Sequence, residues 1–225
     1  RDIVQNMEEN MNDYLIEVRI GGYAKKYTTK VIKEISNKFQ VKGVTRKRPV
    51  PHLTLAGPFQ SDKKTIMKVI KVVENICKHY DVVPFHLHKF KYLTDSKGKK
   101  VVYIDVEPSK ALDELRWNLA VRLDKIIELK HFQRNRDFKF HATIAFKDID
   151  QKFNQIWKFL QNKKDPNIIS HALRITILHK GRIVCEYDLL QKRILNRRQA
   201  LNRQGYRRSI DILLDKTTVE QPVSI

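Results

Sequence analysis

One pattern of five residues occurs twice in this chain. His52-Leu53-Thr54-Leu55-Ala56 and His141-Ala142-Thr143-Ile144-Ala145 each read His, apolar, Thr, apolar, Ala. Residues i and i+2 of a β-strand point to the same face. His52 and Thr54 therefore share one face of a strand, and Leu53 and Leu55 share the other. His141 and Thr143 stand in the same relation to Ala142 and Ile144. A single His-x-Thr carries no information, because a strand histidine is commonly packed or solvated. Two of them in matching apolar frames, about one lobe apart, point to an internal pseudo-twofold repeat.

The surrounding pattern alternates strands with helices. Strands are expected over Asp13–Ile20, His52–Phe59, Pro84–Leu93, Val101–Glu107, Phe140–Phe146, Ala172–Leu178 and Ile183–Leu190. Asp95-Ser96-Lys97-Gly98 and Lys180-Gly181 read as hairpin turns. Helical faces recur at Tyr27, Val31, Ile35 and Phe39, at Ile66 through Cys77, at Leu112 through Ile126, and at Phe153, Ile156, Trp157 and Leu160. Ser61 and Ser109 are the expected N-caps of the second and third helices. The class is α+β, with two mainly antiparallel sheets flanked by helices. No Gly/Ser-rich linker separates the halves, so residues 13–190 are expected to form one bilobal domain.

If a pseudo-twofold axis relates the halves, the two His-Thr pairs face each other across a cleft. Two imidazoles beside one substrate atom suit acid–base catalysis. One takes a proton from a nucleophile and the other gives one to a leaving group. The unperturbed imidazole pKa of about 6.5 fits both roles. The hydroxyls of Thr54 and Thr143 are suited to donating to the nonbridging oxygens of a phosphate.

These motifs resemble those of the 2H phosphoesterase superfamily, which includes the RNA 2′,3′-cyclic phosphodiesterases, also called 2′-5′ RNA ligases. That family carries two His-apolar-Thr/Ser-apolar motifs on the two lobes of a bilobal fold. Pro51 before the first motif and Gly57-Pro58-Phe59 after it add to the resemblance, which covers roughly 13–190. It implies His52, Thr54, His141 and Thr143 as catalytic residues. The implied reaction is metal-independent hydrolysis of an RNA 2′,3′-cyclic phosphate to a 2′-phosphate, with reversible 2′-5′ RNA ligation as an accompanying activity. No cofactor is implied. Two other readings are a non-catalytic RNA-end or nucleotide-binding module, and a branch of the superfamily acting on 2′-5′ oligonucleotides.

Charge points to the same kind of partner. Lys plus Arg total 45 against 25 Asp plus Glu, a formal net charge of +20. Such an excess fits a polyanion. A lysine-rich thermophile surface is the competing explanation, but such surfaces usually balance Lys with Glu. Arg46, Lys47 and Arg48, just ahead of the first motif, either grip RNA phosphates or face water. Lys147 follows the second motif and poses the same choice. Residues 191–215 form a basic extension packed on the domain. Within it, Gln191–Ser209 reads as a helix with an RNA-facing side that includes Arg197 and Arg198, and Ile210–Leu214 reads as a strand. Phe59, Tyr103 and Phe140 are better suited to core packing than to base stacking. His86-x-His88 has no third metal ligand nearby and reads as one face of a strand.

Composition excludes several other classes. Apolar residues make up 41% of the 225, too many for a disordered chain. No run approaches 18 apolar residues, so no membrane-spanning helix is expected. The start, Arg1 to Gln5, lacks a signal pattern and a Met, which suggests a tag scar or truncation. Cys77 and Cys185 form no CxxC pair, so neither a disulfide framework nor a zinc site is expected and a reducing cytoplasm is. A monomer is expected.

Overall fold

β1 (Asn12–Arg19), β2 (His52–Ser61), β7 (Arg174–His179), β8 (Arg182–Asp188) and β9 (Arg193–Asn196) form one sheet in the order β2-β1-β7-β8-β9. β3 (Val83–Thr94), β4 (Lys100–Pro108), β5 (His141–Phe146) and β6 (Ile168–Ala172) form the second, ordered β5-β4-β3-β6. Every pairing in both sheets is antiparallel. This computed structural model describes residues 12–45, 49–95, 98–208, 210 and 213. The fold is α+β and bilobal, as the alternating motifs require.

The helices are α1 (Gly22–Phe39), α2 (Lys63–Cys77), α3 (Lys110–Leu123), α4 (Phe153–Gln161) and the short α5 (Arg197–Ala200). Ile66, Val69, Val73 and Cys77 form the buried face of α2, which packs against β7 and β8. α1 follows β1 of the first sheet but contacts β5 and β6 of the second. α3 follows β4 of the second sheet and packs on both sheets, against β3 and β4 of the second and β2 of the first. Leu53, Leu55, Ala142 and Ile144, the apolar partners of the two motifs, are all buried in one continuous core. Burying each leucine contributes about 2 kcal/mol. Among the described residues no helix is long and apolar enough to cross a membrane.

The structure corrects several expectations. Ser61 ends β2, and the cap of α2 is Asp62, whose carboxylate accepts from the Thr65 N–H at 2.7 Å. Ser109 does cap α3. β6 carries the polar pair Ser170 and His171, which breaks the apolar alternation that marks the other strands. Where one helix is expected over 191–209, residues 193–196 first pair with β8 as β9. A four-residue helix follows, and residues 203–208 are helical. Ile210 and Leu213 are helical rather than extended. Their spacing of three suits a helix face.

Candidate active site

β2 and β5 are the end strands of their sheets, and they approach each other where the two lobes meet. Both motif strands begin with the same burial pattern, half-exposed at His and Thr and buried at the residues between. The alternation read from the sequence thus places His52, Thr54, His141 and Thr143 on the accessible faces.

The two histidines are held in the same way. Nδ1 of His52 lies 2.9 Å from the carbonyl oxygen of Val50, and Nδ1 of His141 lies 2.9 Å from that of Lys139. A carbonyl oxygen only accepts, so Nδ1 carries the proton and donates in both cases. Each ring is fixed by the chain two residues upstream, which leaves Nε2 as the working nitrogen. Each strand therefore orients its own histidine.

The surroundings of the two rings differ. Across the β1–β2 ladder, Arg19 stands opposite His52 and Glu17 opposite Thr54. Glu17 is buried, with a carboxylate oxygen 3.7 Å from His52 Nδ1 and another 3.0 Å from Arg19 Nε. Across β4–β5, Asp105 stands opposite His141 and Tyr103 opposite Thr143. Asp105 pairs with Lys91 at 2.5 Å and His88 at 3.2 Å. The Tyr103 ring lies 5.4 Å from the His141 ring. Among the described residues, no carboxylate lies within ion-pair distance of His141.

The polar face continues inward from His52. Arg174 bonds Asp188 through Nε at 3.0 Å and Glu186 through Nη1 at 3.1 Å, and Thr176 donates to Glu186 at 2.9 Å. All four are buried. Sequence reading did not single out Glu17, Arg19, Tyr103 or Arg174 as site residues. The available signal was the pair of charges at i and i+2 on β1, which puts them on one strand face.

The expected phosphate-binding residues are dispersed. Arg46, Lys47 and Arg48 lie outside the described residues. The loop leading to them is anchored to the second lobe, because Asp148 accepts from the N–H groups of Lys42 at 2.6 Å and Gly43 at 2.9 Å. A Cβ at position 43 would meet the Phe146 carbonyl at 1.9 Å, so only glycine fits. Lys147 is exposed, in a left-handed conformation, with its ammonium 4.9 Å above the Phe146 ring. Arg197 and Arg198 are exposed on α5. Phe59 and Phe140 are core residues. His88 pairs with Asp105, and His86 lies 2.6 Å from the Asn167 side chain. Among the described residues no three His, Cys, Asp or Glu side chains gather to hold a metal.

A model of the 2′-5′ RNA ligase superfamily matches residues 28–179. The chain belongs to that superfamily. Two bacterial relatives carry names that propose a phosphoesterase. The one from Geobacillus sp. (strain WCH70) is 32% identical over 91 residues, 39% of this chain and 51% of the relative. The one from Oceanobacillus iheyensis is 31% identical over 113 residues, 49% of this chain and 61% of the relative. The chain thus spans about half to three-fifths of their length. Among solved structures, Usb1 of Kluyveromyces marxianus aligns with a TM-score of 0.50 at 8% identity, covering 80% of this chain and 98% of its own. That likeness concerns the fold. The superfamily match takes in both motifs but stops short of β9, α5 and the basic segment beyond them.

Proposed function

We propose that this protein is a phosphodiesterase acting on RNA ends that carry a 2′,3′-cyclic phosphate, opening them to a 2′-phosphate. The observation that carries this reading is the matched fixation of His52 and His141 by the carbonyls two residues upstream. Two imidazoles fixed alike, with both Nε2 atoms available, suit a reaction that needs a base and an acid at one phosphorus.

His141 takes a proton from water through Nε2, and the water oxygen bonds to phosphorus. The bond from phosphorus to the ribose 3′ oxygen breaks. His52 delivers its Nε2 proton to that oxygen, leaving the phosphate on the 2′ oxygen. The acid is assigned to His52 because its protonated ring has an ion-pair partner in Glu17. Thr54 and Thr143 donate to the nonbridging oxygens, where negative charge builds. Arg19, beside His52, adds positive charge on the same face. Arg46, Lys47, Arg48, Lys147, Arg197 and Arg198 raise the local concentration of RNA by long-range attraction. No step draws on a metal or cofactor, and one monomer carries both histidines. A 5′-hydroxyl attacking phosphorus in place of the water, with the same bond to the 3′ oxygen breaking, gives a 2′-5′ linkage, which is ligation.

The test is incubation with an oligoribonucleotide ending in a 2′,3′-cyclic phosphate, in EDTA, with mapping of the product phosphate. A 2′-phosphate is expected. Tight binding without turnover would favour a non-catalytic RNA-end module instead, and a 3′-phosphate product would reverse the identity of the leaving oxygen.

A further inference from the structure

Between the exposed face of α1 and residues 200–207 runs a groove of about 990 Å³ that contains none of the four motif residues. Its floor is the polar face of the first sheet. Arg19, the cross-strand neighbour of His52, lines it together with Arg174 and Glu186. One wall carries Lys25, Lys26, Lys30 and Lys33 of α1, and the other Arg203 and Arg207. Eight basic residues line the groove against two acidic ones.

Both acids are already engaged. Glu34 pairs with Lys163 at 2.8 Å, and Glu186 pairs with Arg174. Among the described residues, Lys25, Lys26, Lys33, Arg203 and Arg207 form no ion pair, and Lys30 is 3.9 Å from Glu34. Cations facing one another across a groove repel, and a polyanion laid between them relieves that repulsion. The floor gives a second sign. Arg174 is only 6% exposed, its guanidinium lies 5.2 Å from the Tyr206 ring, and its Nη2 has no hydrogen-bond partner among the described residues. A buried charged donor left unpaired is costly unless a ligand acceptor completes it.

We propose that this groove carries the single-stranded RNA leading to the reacting end, with α1 and the C-terminal segment gripping its phosphates from opposite sides. The proposal rests on the reading that the His52 cleft accepts an RNA end. It adds a second binding region, part of whose wall lies beyond the span matched by the superfamily. A single strand is favoured because the groove, lined by Arg19 beside His52, lies between one helix and one short segment.

The test uses the full chain and two variants outside the catalytic machinery: Lys26→Gln/Lys30→Gln/Lys33→Gln on one wall and Arg203→Gln/Arg207→Gln on the other. Anisotropy measures binding of a fluorescein-labelled dodecauridylate over a salt series, and a second assay follows hydrolysis of cyclic 2′,3′-UMP. Each phosphate contact on a single strand contributes about −0.7 to the slope of log affinity against log salt. The triple variant should therefore flatten that slope by about two, and the double variant by about 1.4. Cyclic UMP, too short to enter the groove, should be hydrolysed at the wild-type rate. Unchanged slopes in the folded variants overturn the proposal. So does an equal loss of affinity for duplex DNA, or a loss seen only with phosphatidylserine vesicles. If one variant fails to fold, the other wall still decides. A wild-type chain inert toward cyclic UMP would overturn the catalytic reading, while the salt slopes would still report on the groove.

Discussion

Glu17 holds a carboxylate oxygen 3.7 Å from Nδ1 of His52. His141 has no such neighbour among the described residues, so the two imidazoles share one fixation but not one electrostatic setting. Glu17→Gln keeps the shape and removes the charge that favours an imidazolium during proton delivery. The expected result is a fall in kcat of about tenfold, or about 1.4 kcal/mol of transition-state stabilisation, with KM little changed. A raised KM at unchanged kcat would instead place Glu17 in substrate binding.

His52→Ala and His141→Ala should each lower hydrolysis of the cyclic phosphate by about 10²-fold or more, the usual scale for a positioned acid or base. Thermal midpoints near wild type would show that the loss is chemical. Because one ring must start protonated and the other neutral, kcat/KM should be bell-shaped in pH, with two limbs that belong to the pair. A single variant retaining near-normal turnover would break the paired mechanism.

Burial pushes the thiol of Cys77 up to about 12 and that of Cys185 up to about 11. Burial also raises Tyr14, Tyr27, Tyr103, Tyr187 and Tyr206. These groups hold their protons more tightly folded than unfolded. The stability they lend is complete below the unfolded thiol range, near pH 8.5–9, and is lost as pH rises toward the folded values. Urea midpoints should therefore fall steadily from pH 9 to 11, as the unfolding free energy drops by about 1.4 kcal/mol per pH unit for each thiol. Native protein at pH 8 should resist a thiol-reactive disulfide reagent, and denatured protein should release two equivalents. Rapid native labelling would contradict the burial argument.

Arg116 is wholly buried, and burial pushes its guanidinium down to about 10. It donates to the carbonyls of Asn135, at 2.9 Å, and Gln133, and it lies 3.9 Å from the Phe138 ring. Gln133 in turn donates to the Gly57 carbonyl. This relay runs from α3 to the strand bearing His52. Arg116→Ala would leave the buried Gln133 carbonyl without this donor and open a cavity, and should cost about 3 kcal/mol in denaturant titration. Activity per folded molecule should fall as well, because the relay steadies β2.

Much of this site was legible in the sequence because a two-residue period is a local property. His52, Thr54, His141 and Thr143 advertise their faces through Leu53, Leu55, Ala142 and Ile144. β6 was not legible, since Ser170 and His171 interrupt its pattern, and the basic residues around Arg193 concealed β9. The ionic row of Arg19, Glu17, Arg174, Glu186 and Asp188 was also hidden. Its members come together only through the register of β2, β1, β7 and β8, which tertiary packing sets. Arg197 and Arg198 were conspicuous by composition, yet the α1 lysines line the groove. Charge counted along a chain does not reveal which cations share a surface.

Two helices bridge the lobes. α1 carries Ile32 and Ile35 from the first sheet to the side of Ile144 at the second, and α3 packs on β2 as well as on β3 and β4. A chain cut between Lys78 and Val83 would yield two pieces, each exposing an apolar face shaped for the other. Such fragments should rejoin when made together and aggregate when made apart. The same interlock bears on the cleft. Leu53 and Leu55 of β2 and Ala142 and Ile144 of β5 sit in one continuous core, so parting the two strands would open that core. Substrate exchange is then expected at the rim, through loops and side chains, rather than by separation of the lobes.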